Sequence, residues 1–216
     1  MASATSSGPL TESIKDDHQE MYDYYDKYTE AHAAGNEKDA IAWANQLVWE
    51  VVRHAVGEEI VVYPLMEKHM GDEGKRLADE DRKEHHTVKQ LLYDFESLRT
   101  SSVLPGKSNE TEIAEQQSTI LKAVMDHLHK HNDSEEQNDL PYLEPKLGVE
   151  GSKKAAGDFK RTKKFAPTLP HPSAPDQPPF ETVVGLMQAP IDKLLDLFKT
   201  FPSAELKAEL KESKDT

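Results

Sequence analysis

The chain states one phrase twice. His54-x-x-x-Glu58-Glu59 runs on to Pro64-Leu65-Met66-Glu67, and His131-x-x-x-Glu135-Glu136 runs on to Pro141-Tyr142-Leu143-Glu144. In both copies Glu follows His at four and five residues, Pro at ten and a last Glu at thirteen. A lone acid-His pair precedes each copy, Asp17-His18 and Glu84-His85, and each pair sits in another apolar-periodic stretch. The repeated unit is therefore two helices long.

Taken in order, the apolar periodicity predicts four helices. Thr11 is placed to cap the first, in which Ile14, His18, Met21, Tyr25, Tyr28 and His32 share a face. Ala33-Ala34-Gly35-Asn36 breaks it, and Leu47, Val51, His54, Glu58, Val61 and Leu65 form the stripe of the second, up to about Met70. Gly71-Asp72-Glu73-Gly74 reads as the next turn. The third presents Leu77, Asp81, His85, Val88, Leu92 and Phe95, and Ser101 to Asn109 closes it. The fourth presents Ile113, Gln117, Ile120, Val124, His131 and Glu135. Short loops favour antiparallel neighbours, so the expected class is all-α, an up-down-up-down antiparallel four-helix bundle over residues 10–147.

In such a bundle His18, His54, His85 and His131 fall at one level, expected near one end. An i,i+4 pair on a helix differs by about 40° around the axis and an i,i+5 pair by about 140°. Glu58 and Glu135 therefore share the inward stripe with their His. Glu59 and Glu136 point sideways, unless a π-bulge turns them in. Burying several imidazoles and carboxylates together costs several kcal/mol per unpaired charge, so something must compensate. The chain has no Cys, so thiolate ligation and disulfides are excluded. Imidazole with carboxylate suits Fe, Mn or Zn, and two carboxylates among several imidazoles suit a pair of metals better than one.

These residues resemble the hemerythrin-like, HHE cation-binding family. The segment Arg161 to Pro175 is similar to that of fungal members. The resemblance implies two non-haem iron ions, oxo- or hydroxo-bridged, with Mn or Zn as lesser alternatives. It implies His18 as the ligand of the first helix, His54 with Glu58 of the second, His85 of the third, and His131 with Glu135 of the fourth, both Glu bridging. Dioxygen or a similar small ligand would be the partner. One position departs: the oxygen carriers of the family place a second His one turn before the third-helix ligand, where this chain has Asp81. Asp81 is open to three readings, as a ligand, as a group orienting His85, or as an ordinary polar residue. The carriers also take their fourth-helix carboxylate five residues after its His, which would select Glu136, whereas helical angle and the internal repeat select Glu135. The departure moves weight from oxygen carriage toward sensing, iron holding or peroxide handling. A peroxidase- or oxidase-like enzyme and a structural protein with a metal staple are the alternative readings.

Of the other histidines, His129 is expected outward, His86 and His127 near the site in sequence, and His32 and His69 on the surface. Tyr22, Tyr25 and Tyr28, with Trp43 and Trp49, read as packing. Glu-x-x-His of the ferritin-like di-iron proteins and His-Glu-x-x-His of zinc proteases are both missing.

Charge and composition bound the rest. Residues 1–150 carry 31 acidic against 15 basic side chains, and the remainder 9 against 11. An acidic body excludes nucleic acid as the main partner. No stretch approaches the roughly 20 apolar residues of a membrane span, and Met1 to Pro9 has no apolar h-region, so a cytoplasmic location is expected, with residues 1–9 disordered. Residues 148–216 form an extension: a basic connector over Gly151 to Lys164, a proline-rich strap with six prolines between Pro167 and Pro179, and a short amphipathic helix carrying Ile191, Leu194, Leu195, Leu197 and Phe198, expected to dock on the bundle. A Pro-reading partner domain is a lesser possibility for the strap.

Overall fold

The computed structural model describes residues 8–102, 110–174, 176 and 180–214, and every regular element among them is helical. In order these are α1 (Pro9–Ala33), α2 (Glu37–Gly57), a π turn π1 (Glu58–Val62), α3 (Tyr63–Ser102), α4 (Glu110–Ser134), a second π turn π2 (Glu135–Asp139), α5 (Leu140–Phe165), α6 (Phe180–Asp196) and α7 (Ala204–Lys214). Each copy of the repeated phrase thus lies on one helical rod widened by a π turn. Of the start expected to be disordered over residues 1–9, residues 1–7 lie outside the described residues and Pro9 already opens α1, and of the loop expected over Ser101 to Asn109, residues 103–109 lie outside them. So do four residues of the proline-rich stretch, Pro175 and 177–179.

Helix boundaries follow local chemistry. α1 opens at Pro9, whose fixed φ suits a first turn, and not at Thr11. Thr11 instead donates from its amide (3.0 Å) and hydroxyl (2.6 Å) to Glu144 Oε2, the last Glu of the second phrase, which lies against the positive end of α1. Asn36 caps α2 by accepting from the Asp39 amide. Of the four residues read as a turn at 71–74, only Gly71 leaves the helix, at φ 65° and ψ −141°. Gly74 is already helical, and a Cβ there would stand 2.1 Å from the Met66 carbonyl oxygen. Gly148, at φ 64°, makes the corresponding break in α5.

The core is split in two. Met21, Trp43, Leu47, Val51, Leu92, Phe95, Leu121 and Val124 belong to one apolar cluster, and Leu10, Ile14, Val62, Met66, Leu140, Leu143 and Phe159 to another. Within each of the helical stretches 9–33, 37–70, 72–102 and 110–147 the inward His and Glu positions fall between residues of the two clusters. The polar level is therefore interior, with apolar packing on both sides, and does not sit at an end as expected.

The second cluster depends on the chain beyond Gly148. Gly151 to Lys164, read as a connector, is helical and carries Ala155 and Phe159 into that cluster. Lys163 Nζ, nearly buried, pairs with Asp17 and Glu50, and the Arg53 side chain donates to the Lys163 carbonyl at 2.7 Å. In α6, Ala189 and Asp192 are buried, and Asp192 accepts from the amides of Thr168 (3.0 Å) and Leu169 (3.1 Å). Ile191, Leu194, Leu195, Leu197 and Phe198, read as its apolar stripe, are exposed. Leu210 of α7 joins the first cluster. No helix among the described residues is long and apolar enough to cross a membrane.

Candidate metal centre

The two π turns have one sequence cause. A proline inside an α-helix lacks the N–H for its own hydrogen bond, and its ring collides with the carbonyl four residues back. Pro64 and Pro141 each follow a π turn by two residues. There the amides of Tyr63 and Leu140 reach five residues back, to the carbonyls of Glu58 and Glu135. One extra residue per turn widens the backbone ahead of the ring.

The widened turns begin at Glu58 and Glu135, and both side chains are fully buried in the polar level. His18 Nε2 lies 3.2 Å from His54 Nε2, and His54 Nε2 lies 3.1 Å from Glu58 Oε1. On the other side His85 Nε2 lies 3.1 Å from His131 Nε2 and 3.3 Å from Glu58 Oε2. Two groups able to hold a cation result, His18–His54–Glu58 and Glu58–His85–His131, with Glu58 common to both. Glu135 faces the centre from the far rod, with Oε2 3.6 Å from His18 Nε2. The structure thus brings together His18, His54, Glu58, His85, His131 and Glu135. His86, His127 and His129 are exposed, and His129 stacks on Tyr22.

Each imidazole is held from behind by a carboxylate that accepts from Nδ1. Glu136 serves His18 at 2.8 Å, Asp17 serves His54 at 3.0 Å, Glu59 serves His85 at 3.1 Å and Glu84 serves His131 at 2.9 Å. This explains both halves of the repeat. The acid before each first-rod His orients the second-rod His of the same half, and the second Glu of each phrase orients the first-rod His of the opposite half. Glu59 and Glu136 do point sideways, as the helical angle requires, and that direction is where a neighbouring rod presents its His. Lys89 secures Glu59 at 2.5 Å, and Lys15 secures Glu136 at 2.8 Å.

With Nδ1 donating outward, the Nε2 lone pairs converge. Two nitrogens bound to one metal at about 2.1 Å stand roughly 3.0–3.4 Å apart, the spacing of both His pairs. Apart from the His54 and His85 Nε2 atoms at 3.1 and 3.3 Å from Glu58, all four carboxylate oxygens of Glu58 and Glu135 are buried without a hydrogen-bond partner among the described residues. Carboxylate oxygens do not normally tolerate that unless a cation supplies the missing partner. The residues therefore fit a metal pair.

Protonation reflects the same crowding. Burial disfavours charge on Glu58, but His54 and His85 overcome it and hold the carboxyl well below its usual range. Burial and the charge of Glu58 push Glu135 well above it, so the two carboxylates divide into an ionised and a neutral member. Burial depresses His18 and His131. It would depress His54 as well, but Glu58 and Asp17 raise that ring to about 9.

Four participants were not legible as such. The Tyr63 hydroxyl, fully buried, lies 3.1 Å from His85 Nε2, and burial among carboxylates keeps the phenol protonated. Its place directly before Pro64 is its only sequence mark. Lys89 and Lys163 carry no motif. Asp139, four residues after Glu135 and 2% exposed, matches Val62 in the first copy. Asp81 is also buried, with Oδ1 3.8 Å from His131 Nδ1 and Oδ2 without a partner among the described residues. Burial and the charge of Asp139 push it up to about 8. A further acidic group, Asp17–Glu20–Glu50, already holds the Lys163 ammonium between Asp17 and Glu50.

Residues 10–143 match the family of the hemerythrin HHE cation binding domain. An uncharacterized hemerythrin-like protein of Schizosaccharomyces pombe is 46% identical over 193 residues, 89% of this chain and 88% of the relative. No solved structure matches.

Proposed function

We propose that this chain, which belongs to the hemerythrin HHE cation-binding family, holds two non-haem iron ions and binds dioxygen or a related small ligand at them, or senses or stores the iron. The observation that carries the reading is Glu58, shared by two His pairs with both oxygens otherwise unpartnered. His18 with His54 would hold one ion and His85 with His131 the other. Glu58 and Glu135 would bridge them. An iron pair supplies the electrons that dioxygen or a similar ligand exchanges on binding. We take the rods 9–33, 37–70, 72–102 and 110–147 to run up-down-up-down, residues 148–216 to be an appended basic and proline-rich extension, and the protein to act in the cytoplasm.

The chain's own residues define how such a site works. Asp17, Glu59, Glu84 and Glu136 fix each Nδ1 proton and aim Nε2 inward, raising ligand basicity. The two apolar clusters exclude bulk water from above and below. Tyr63 keeps a phenolic proton beside His85 Nε2, placed to hydrogen-bond a small ligand on the His85–His131 side. The same phenol favours, as second reading, a peroxidase- or oxidase-like use of the centre, since it sets a hydroxyl beside the place where a peroxide would sit.

Metal content with a visible spectrum tests both. Two irons per chain and a visible band that appears with oxygen and reverses on its removal support binding. Irreversible bleaching with peroxide consumption supports the enzyme. Less than one transition metal per chain rejects both and leaves a structural or interaction protein. Glu58→Ala or Glu135→Ala is expected to lose the metal pair, and retention of two metals in either would reject the bridging assignment.

A further inference from the structure

The internal repeat is broken at two positions of its second half, residues 72–147. One turn before its first-rod His, the first half has Ile14 and the second has Asp81. Four residues after the bridging Glu, the first half has Val62 and the second has Asp139. Ile14 and Val62 are fully buried in the second apolar cluster. Asp81 and Asp139, 6% and 2% exposed, each keep a buried carboxylate oxygen without a partner among the described residues.

The surroundings differ in the same sense. The first half is covered by α5 beyond Gly148: the Phe159 ring lies against Gly57 and His54, and Lys163 closes over Asp17 and Glu50. Among the described residues the second half has no such cover. An open cavity of about 550 Å³ lies there, lined by Glu73, Arg76, Leu77, Glu80, Asn138 and Asp139 among others. Arg76 is engaged by Glu73 and Glu80, both at 2.6 Å, which leaves the mouth acidic. Further in, Asp81 Oδ1 lies 3.8 Å from His131 Nδ1, and Asp81, Glu84 and His131 bring possible ligand atoms within 4.8 Å of one another.

We propose that Asp139 and Asp81 form a relay site for a divalent transition-metal cation, drawing it from the acidic cavity between α3 and the π2 rod and passing it to the buried centre. This rests on the metal-pair reading above. A hydrated cation cannot cross an apolar core, and burying two carboxylates without partners is otherwise a net cost. The acidic mouth raises the local cation concentration. Asp139 is not a ligand of the finished centre, so its loss slows loading without lowering capacity.

The test uses full-length protein stripped of metal and mixed anaerobically with Fe2+, following bound metal against time and at the end point. Asp139→Asn, and Asp139→Val, which copies the first half, are expected to load at least about tenfold more slowly than the unsubstituted protein and to reach the same two irons per chain. Loading of both variants at the unsubstituted rate would overturn the relay. So would a lowered end point in Asp139→Asn with helicity unchanged, since Asp139 would then be a ligand. If the unsubstituted protein takes up no metal, it is the metal-pair reading that fails.

Discussion

Asp17 accepts the Nδ1 proton of His54 at 3.0 Å, and the same carboxylate oxygen meets the Lys163 ammonium. One side chain of α1 thus couples His54 on α2, a proposed ligand, to the helix that closes the second core. Asp17→Asn removes the negative charge that would make His54 a strong ligand in the proposed centre. Metal affinity should fall about 10–100-fold, the usual cost of losing such a partner. Glu84→Gln should do the same through His131. Competition with a chelator of known affinity measures both; unchanged affinity in either variant would show that the hydrogen bond does not tune the ligand.

Lys163 stands nearly buried between Asp17 and Glu50. Lys163→Met leaves two carboxylates without their cation, and breaking a buried pair from one side costs about 3–5 kcal/mol. The variant should unfold at clearly lower denaturant. Adding Glu50→Gln should restore part of the loss, because the uncompensated charge is the cause. No recovery in the double variant would place the effect in lost packing of the lysine stem.

Asp139 gives a pH signature in metal-free protein. Burial, together with Glu80, Glu84 and Glu73 and against the opposing Arg76, raises its carboxyl to about 6 from an ordinary value of 3.8. An acid whose pKa rises on folding binds its proton more tightly in the native state. Its ionisation therefore costs stability, beginning as pH rises through the unfolded value and complete above the folded one. The side chain is buried but lies at the rim of an open cavity, where solvent screens part of that cost. Asp139→Asn should then be about 1–2 kcal/mol more stable than the unsubstituted apoprotein at pH 7.5, with the difference gone near pH 3.5. Chemical unfolding at the two pH values checks it. A variant that is less stable at pH 7.5 would contradict the assignment.

Two glycines separate backbone strain from packing. Gly71 has φ 65° and ψ −141°, with no atom near the place of a Cβ. Gly71→Ala should cost about 1–3 kcal/mol through backbone strain alone and leave metal binding intact. Gly57 is helical, but a Cβ there would stand 2.7 Å from the Phe159 ring, which packs edge-on to His54. Gly57→Ala should lose a similar amount, typically about 1–3 kcal/mol, and weaken metal binding as well. Calorimetry and chelator competition on the pair distinguish the two causes.

The doubled phrase alone specified a helical repeat, one level for four histidines, and Glu58 and Glu135 as the inward carboxylates. Those properties follow from helical angle and rise, which spacing along the chain encodes directly. Pro64 and Pro141 were visible too, and with them the reason for the π turns. What Glu59 and Glu136 do was not legible, because the partner of a sideways-pointing side chain is fixed by which rod packs beside it. The same holds for Asp17 on His54, Glu84 on His131, Tyr63 at His85 and Lys163 over Asp17, contacts that join residues 22 to 146 positions apart. Even the difference between Val62 and Asp139 was present in the sequence as a broken repeat. Only tertiary structure gave it meaning, because among the described residues α5 beyond Gly148 covers the half with Val62, while Asp139 lines an open cavity.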